Sequence, residues 1–295
     1  GCNRGKRSVT ADFEQPDGRE IVLRLARHAD VIIENFKVGG LKKYGLDYES
    51  LRAINPRLIY CSLTGFGQTG PYAHRAGYDF MIQGMGGMMS VTDEPDNAPG
   101  GGPQRAGVPV ADIITGMYAS IAICAAIAGR AETGRGQHLD LALLDSQIAL
   151  LAYQNTNFFS AGVPPKRIGN LHPNIVPYQP FRTADGSVIV ACGNDNLYQK
   201  LCTMMNRPDL ATDPRFASNG KRVENRVEMT AVLQEIFSTR STKEWVAALE
   251  QAGVPNGPIN DLAQVFEEPQ VKARQIKLEM DHPVAGKMPM VASPM

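Results

Sequence analysis

The residues that could carry out chemistry lie around Asp145. There the spacing of apolar residues changes from the pattern of a strand to that of a helix. Residues 137–142 alternate in polarity as in a β-strand, and Leu144, Ile148 and Leu151 then recur at helical spacing. A carboxylate at this change of period would lie on the positive end of a helix dipole. We expect it to be short of water, so that a weak nucleophile could attack an acyl carbon. The alternative is a helix N-cap, because Asp is a preferred N-cap residue.

Two other places carry polar groups that could serve a site. Tyr78 and Asp79 precede a Met-rich apolar run, and a phenol and a carboxyl group could face a ligand as hydrogen-bonding groups. Alternatively, Asp79 caps the helix and Tyr78 packs beside it. The turn 169–173 contains His172 and could also carry function. The glycines at 100–102 are followed by neither Gly-Lys-Ser/Thr nor GxGxxG, which argues against a nucleotide-binding loop.

Alternating strands and helices must position these groups. Residues 30–34 and 57–63 read as strands, residues 17–28 and 47–54 read as helices, and a further strand is predicted at 8–12. This alternation predicts βαβ units and a Rossmann-like parallel sheet in an α/β protein. Because ligands bind outside the carboxyl ends of parallel strands, three segments should converge there: Asn35-Phe36, the Gly65–Gly70 loop and the turn at Asp145.

The second half of the chain differs in composition. Residues 162–180 contain five prolines and read as a connection after one central helix at 143–159. A short strand at 187–191 and amphipathic helices at 223–237 and 242–251 then predict a smaller α+β domain. Another helix is predicted from Asn260, with that residue as its N-cap. We therefore predict a large α/β domain at 1–162, a linker at 163–180, a small domain at 181–260, and a C-terminal segment at 261–295 that returns toward the large domain.

Composition excludes several classes of protein. The 295 residues carry 30 basic and 30 acidic side chains, so no broad basic field for nucleic acid is expected. Five cysteines without a CxxC motif favour a reducing, cytoplasmic compartment and argue against a disulfide framework or a metal site. Residues 108–128 are apolar, but Asp112 and many small residues favour a tightly packed internal helix over a membrane span.

Several motifs together resemble the family III CoA-transferases, also called the CaiB/BaiF family. They occur in family order over nearly the whole chain: NRGKRS at 3–8, ADVIIENF at 29–36, NP at 55–56 with LIY at 58–60, GFGQ at 65–68 with GPY at 70–72, GYD at 77–79, GRGQ at 134–137 with LLD at 143–145, and GVP at 253–255 with GP at 257–258. Family members are longer. The resemblance therefore implies an incomplete chain of an interlocked homodimer, without the N-terminal part that holds a first strand and helps bind CoA.

The resemblance also implies an activity and a site. Asp145 matches the family nucleophile, which moves CoA from a donor acyl-CoA to a small carboxylic acid through aspartyl anhydride and aspartyl-CoA thioester intermediates. Asp79 and Tyr78 match site positions, Asp79 expected as a second catalytic residue and Tyr78 as a substrate-binding one, and Asn35 and Phe36 match positions that contact CoA. Lys43 stands where a family arginine meets the nucleotide end, and His172 is expected to orient an acceptor carboxylate. No permanently bound cofactor is implied, since the CoA thioester is a substrate. The segment 172–178 resembles members that act on dicarboxylates such as succinyl-CoA.

Two alternatives stay open. Racemases of the same family exchange an α-proton of a 2-methylacyl-CoA and carry His before the Asp of the GYD position. Tyr78 stands there instead, and an ordinary Tyr is a poor base at neutral pH. The chain could also be a non-catalytic CoA-binding module. We expect neither nucleic acid nor a membrane as a partner.

Overall fold

The computed structural model describes residues 3–294, which fall into two compact units. The sheet unit comprises residues 8–169, and the C-terminal unit comprises residues 170–294 together with the N-terminal residues up to Arg7. The domain limits drawn from the sequence stay a prediction.

The sheet unit alternates helices with three strands, as the sequence predicts. Its elements are α1 (Pro16–His28), β1 (Val31–Glu34), a 3₁₀ turn (Lys42–Tyr44), α2 (Tyr48–Ile54), β2 (Ile59–Thr64), α3 (Asp79–Met85), α4 (Met88–Val91), α5 (Val110–Thr133), β3 (His138–Ala142), α6 (Leu143–Leu150) and α7 (Tyr153–Ala161).

The three strands form a parallel sheet in the order β1-β2-β3, with Ile33 opposite Cys61 and Cys61 opposite Leu139. Because the strands are parallel, their carboxyl ends at Glu34, Thr64 and Ala142 lie at one edge. The α/β class with a parallel sheet is thus confirmed. The segments that follow these strands are the three that the sequence predicts to converge.

Helices pack on this sheet through buried apolar side chains. One cluster joins α1 and α2 to β2 through Ala26, Leu51 and Tyr60. The long helix α5 packs against β2 and β3. Its last turn is fixed by Arg130, which is buried, bonds the carbonyl of Arg57 and pairs with Asp30 at 2.7 Å.

The C-terminal unit is an α+β arrangement with its own core. Its elements are β4 (Tyr178–Arg182), β5 (Ser187–Ala191), α8 (Asp195–Met204), α9 (Pro208–Thr212), α10 (Asn219–Glu224), α11 (Arg226–Phe237), α12 (Thr242–Ala252), β6 (Asn256–Pro258), α13 (Leu262–Glu267), α14 (Pro269–Ala273), β7 (Lys277–His282) and β8 (Gly286–Val291). Strands β4, β5 and β6 form an antiparallel sheet, and β7 pairs with β8 as a hairpin. Arg222 is fully buried in the core and pairs with Asp195 at 2.7 Å.

Four local predictions are wrong. Residues 8–12 form no strand. The predicted helix 143–159 is broken between α6 and α7, because Ala152 adopts φ 44° and ψ −114°, which no helix contains. The predicted helix 223–237 is divided at Asn225. The N-cap expected at Asn260 lies one residue later, at Asp261, whose side chain accepts from the Gln264 N–H.

The apolar helix α5 is less enclosed than predicted. By length and composition it could cross a membrane, yet only a minority of its most apolar stretch is buried. Its buried residues lie along one side, where the helix meets α3, α6 and the sheet: Ala111, Thr115, Ala119, Ala126 and Arg130. In this chain the helix is therefore packed along one side only, and its place as a tightly packed internal helix stays a prediction.

Candidate active site

Asp145 lies in the first turn of α6, directly after the edge of the sheet. Ala142 holds the N-cap position, so Asp145 is the third helical residue and the N-cap alternative is wrong. The buried face of the helix is formed by Leu143, Ser146 and Gln147. At 100° per residue, Asp145 projects to the opposite side and is exposed. The expected water-poor carboxylate is therefore wrong for the free chain.

The Asp145 carboxylate has no bonding partner among the described residues. Among residues 3–294 no side chain or backbone group makes a hydrogen bond or ion pair with it. The turn itself is firmly held, because the Leu144 N–H donates to the Gly65 carbonyl at 3.1 Å and the Ser146 hydroxyl donates to the Ala142 carbonyl at 3.0 Å. Both oxygens of Asp145 are therefore without a hydrogen-bond partner among the described residues.

Both carboxylate oxygens of Asp79 accept hydrogen bonds from the protein. Its Oδ1 accepts the N–H groups of Ala111 at 2.8 Å and Asp112 at 3.3 Å, and its Oδ2 accepts the Gln83 amide at 2.7 Å. Asp79 is the first residue of α3, but the orphan donors that it satisfies belong to the first turn of α5. The alternative that Asp79 caps its own helix is wrong, because Tyr78 occupies that N-cap position.

Tyr78 is open to solvent, with 74% of the residue exposed, so it does not pack beside the helix. A close backbone approach brings this segment to the edge of the sheet. A Cβ added to Gly65 would lie 2.5 Å from the Gly77 Cα, so only glycine fits at this crossing. The loop from Gly65 to Gly77 is thereby closed at its base, next to the turn of Asp145.

The predicted CoA-contacting residues follow β1 at the same edge. The Asn35 amide donates to the carbonyl of Leu63 in the neighbouring strand. Phe36 is 48% exposed and packs edge-on against Phe13 at 5.7 Å. Lys43 is exposed and lies over the Tyr44 ring at 4.5 Å, and its hydrogen bond with Tyr44 raises the pKa of its ammonium group.

His172 lies in the C-terminal unit. Its Nδ1 accepts the Asn174 N–H at 3.1 Å, and its ring packs on Tyr178 at 5.1 Å. Arg226 bonds the His172 carbonyl at 2.8 Å. Burial first, and then the charge of Arg226, lower the pKa of the imidazole below its ordinary value. The lowered pKa favours the neutral form of the imidazole.

A cavity of about 250 Å³ opens on the sheet unit between the 3₁₀ turn, α2 and the sheet. On its wall the buried Ser62 hydroxyl lies 2.9 Å from Nε2 of His138, and Tyr48 stacks on that imidazole at 5.0 Å. Glu34, Lys37 and Lys42 also line it. Sequence reasoning missed this cavity, because its residues come from four separate segments. Among residues 3–294 no group of three or more His, Cys, Asp or Glu side chains could hold a metal ion.

The fold and this site define a class of protein. The sequence model of CoA-transferase family III matches residues 1–295. The chain therefore belongs to that family. This confirms the family that the sequence motifs resemble.

Named relatives are similar over nearly the whole chain. A succinate–glutarate CoA-transferase of Agrobacterium fabrum is 50% identical over 292 residues, which are 99% of this chain and 72% of that protein. The human succinyl-CoA:glutarate CoA-transferase is 41% identical over 97% of this chain and 64% of its own length. The crystal structure of a CaiB/BaiF family protein from Brucella suis is 53% identical with a TM-score of 0.81, covering all of this chain and 79% of that one.

Proposed function

We propose that this protein is a CoA-transferase that moves CoA from a dicarboxylic acyl-CoA such as succinyl-CoA to a dicarboxylic acid such as glutarate, with Asp145 as the nucleophile. The observation that carries the assignment is the uncommitted carboxylate of Asp145 at the edge where the three strands end. Two relatives, which are 50% and 41% identical to this chain, are named as transferases of succinate or succinyl-CoA and glutarate. Their names support dicarboxylic substrates.

The chemistry proceeds through covalent exchange. The Asp145 carboxylate attacks the thioester carbon of the donor, and CoA leaves as a thiolate with an acyl-aspartyl anhydride behind it. The thiolate attacks the aspartyl carbonyl, which gives an aspartyl-CoA thioester and releases the donor acid. The acceptor carboxylate attacks that thioester, expels the CoA thiolate again and forms a second anhydride. The thiolate then attacks the acceptor carbonyl of this anhydride, which gives acceptor-CoA and restores the Asp145 carboxylate. Each step replaces one activated acyl bond by another, so no ATP is consumed.

Because Asp145 is exposed in the free chain, the reaction depends on the bound substrate to exclude water. A carboxylate in water is well solvated and therefore a weak nucleophile, so the bound acyl-CoA must cover it and expel water. We propose that Asn35, Phe36, Lys43 and Tyr78 hold CoA, that Asp79 supports the site through the first turn of α5, and that His172 meets the acceptor as a neutral donor. No cofactor is held permanently.

The proposal extends to the compartment and the oligomeric state of the enzyme. We propose a cytoplasmic homodimer without a nucleic-acid or membrane partner. The incompletely covered apolar helix α5 supports burial against more protein than the described residues supply.

Trapping the covalent intermediate tests the nucleophile. The protein is incubated with succinyl-CoA and hydroxylamine, and peptide mass spectrometry should find a hydroxamate on Asp145. Modification of another carboxylate, or full exchange activity in Asp145→Ala, would overturn the assignment. A second arm uses a chiral 2-methylacyl-CoA in D₂O without an acceptor acid. Rapid uptake of α-deuterium would indicate a racemase, and binding of CoA without turnover of any acyl donor would indicate a binding module.

A further inference from the structure

Arg75 is held on an aromatic platform in the closed loop between Gly65 and Gly77. Its guanidinium carbon lies 4.5 Å from the ring centre of Tyr72 and 5.1 Å from that of Phe66. The two rings pack edge to face at 5.5 Å, so they form a rigid corner under the guanidinium group. Stacking on rings fixes the plane of the group while its N–H donors remain available at the edge.

No carboxylate neutralises this cation. Among residues 3–294, Arg75 has no acidic partner within ion-pair distance and no side-chain hydrogen bond, although it is exposed. Arg52 and Arg130 of the same unit differ in this respect, since Arg52 pairs with Glu49 and Arg130 pairs with Asp30. A guanidinium that is oriented by rings and left without an anion is suited to a two-pronged bond with a carboxylate from outside.

The platform is fixed to the turn that carries Asp145. Phe66 packs against the buried cluster that contains Leu143, and the neighbouring Gly65 carbonyl accepts the N–H of Leu144. On the other side of Phe66, the Gln68 N–H donates to both carboxylate oxygens of Asp140 in β3, at 3.0 and 3.1 Å. The base of the loop is therefore bonded both to the start of α6 and to β3.

We propose that Arg75 binds the second carboxylate of the dicarboxylic substrates, the one that is not activated at Asp145. This inference rests on the proposed function and names the group that selects diacids. One carboxyl group of such a substrate reacts at Asp145, while the other stays ionised and loses water as the site closes. A buried unpaired charge is strongly unfavourable, so a preset cation on the loop whose base is bonded to the first turn of α6 favours diacids over monoacids.

The test compares acceptors that differ only in that carboxylate. In the full chain, Arg75→Gln should raise the KM for glutarate about 10-fold to 100-fold, the usual effect of losing a charge-assisted bidentate bond. The KM for pentanoate, or its inhibition constant if it is not turned over, should change less than about 2-fold, because that acid lacks the second carboxylate. Arg75→Lys should lie between, because it keeps the charge and loses the planar stack.

A matched control is Arg240→Gln in the C-terminal unit, which removes another exposed arginine stacked on a ring, that of Trp245 at 4.7 Å. It should leave both acceptors unchanged. An equal effect of Arg75→Gln on glutarate and pentanoate would overturn the inference and leave Arg75 a loop-stabilising residue. A wild-type enzyme that moves no CoA from succinyl-CoA to any diacid would instead overturn the proposed function, so the two failures are distinguishable.

Discussion

Asp145 and Asp79 have the same chemistry and comparable places in the fold, but opposite surroundings. Each lies in the first turn of a helix, and each stands in a motif through which the sequence resembles the family. Asp79 receives three hydrogen bonds and closes the start of α5, whereas Asp145 receives none among residues 3–294. A carboxylate whose oxygens are occupied is a structural anchor, and one whose oxygens are free can form a covalent bond. We therefore expect the two positions to respond in opposite ways.

The largest effect should come from Asp145→Asn. The amide is isosteric but cannot attack a thioester, so the rate of CoA transfer should fall at least about 1,000-fold. The free energy of unfolding should change by less than about 0.5 kcal/mol, since the side chain is exposed and has no partner to lose. Steady-state kinetics and thermal unfolding of the same preparation check both halves. A variant that loses activity only because it unfolds would contradict the proposed role.

Asp79→Ala should show the reverse pattern. It leaves the Ala111 and Asp112 N–H groups and the Gln83 amide without their acceptor, which should destabilise the fold by about 1–3 kcal/mol. Activity at a temperature where the variant is folded should fall less than about 10-fold. Denaturant unfolding gives the first value. Should the fold stay intact while turnover falls as far as in the Asp145 variant, Asp79 would be a reacting group and the contrast would collapse.

The sequence could predict the positions of this site but not its contacts. The strand ends beside Asn35, Gly65 and Asp145 follow from short apolar runs between helical segments, because parallel strands place their carboxyl ends together. The exposure of Asp145 depends on which face of α6 the core covers, and periodicity over eight residues with apolar groups all round does not decide that. The bonds from Asp79 to α5 and the platform under Arg75 join segments that only the tertiary fold brings together.

Two buried glutamines extend the comparison. Gln147 follows Asp145 on α6 and Gln83 bonds Asp79; both are 0% exposed. Both polar atoms of the Gln147 amide lack a partner among residues 3–294, whereas the Gln83 amide bonds Asp79 and its carbonyl accepts the Ala106 N–H at 2.9 Å. Gln147→Met should stabilise the protein by about 1 kcal/mol, and Gln83→Met should destabilise it by about 1–3 kcal/mol. Urea unfolding of the two variants checks the signs; equal destabilisation would mean that Gln147 bonds an ordered water.

The smallest effect concerns Asp112, whose N–H bonds Asp79 at 3.3 Å. Partial burial, and then the charge of Asp79, raise the pKa of the Asp112 carboxyl above its ordinary value. A raised pKa in the folded state means that folding favours the protonated carboxyl group. The stability from this group is therefore lost as pH rises from the pKa of the unfolded state, about 4, through the higher pKa of the folded state. Asp112→Asn should therefore stabilise the protein at pH 7 by less than about 1 kcal/mol, because the group is largely solvated, with no gain below about pH 4. Asp17→Asn, an exposed first-turn acid on α1, should instead destabilise slightly through the helix dipole. A gain at pH 7 that persists in acid would rule out repulsion by Asp79 as its cause.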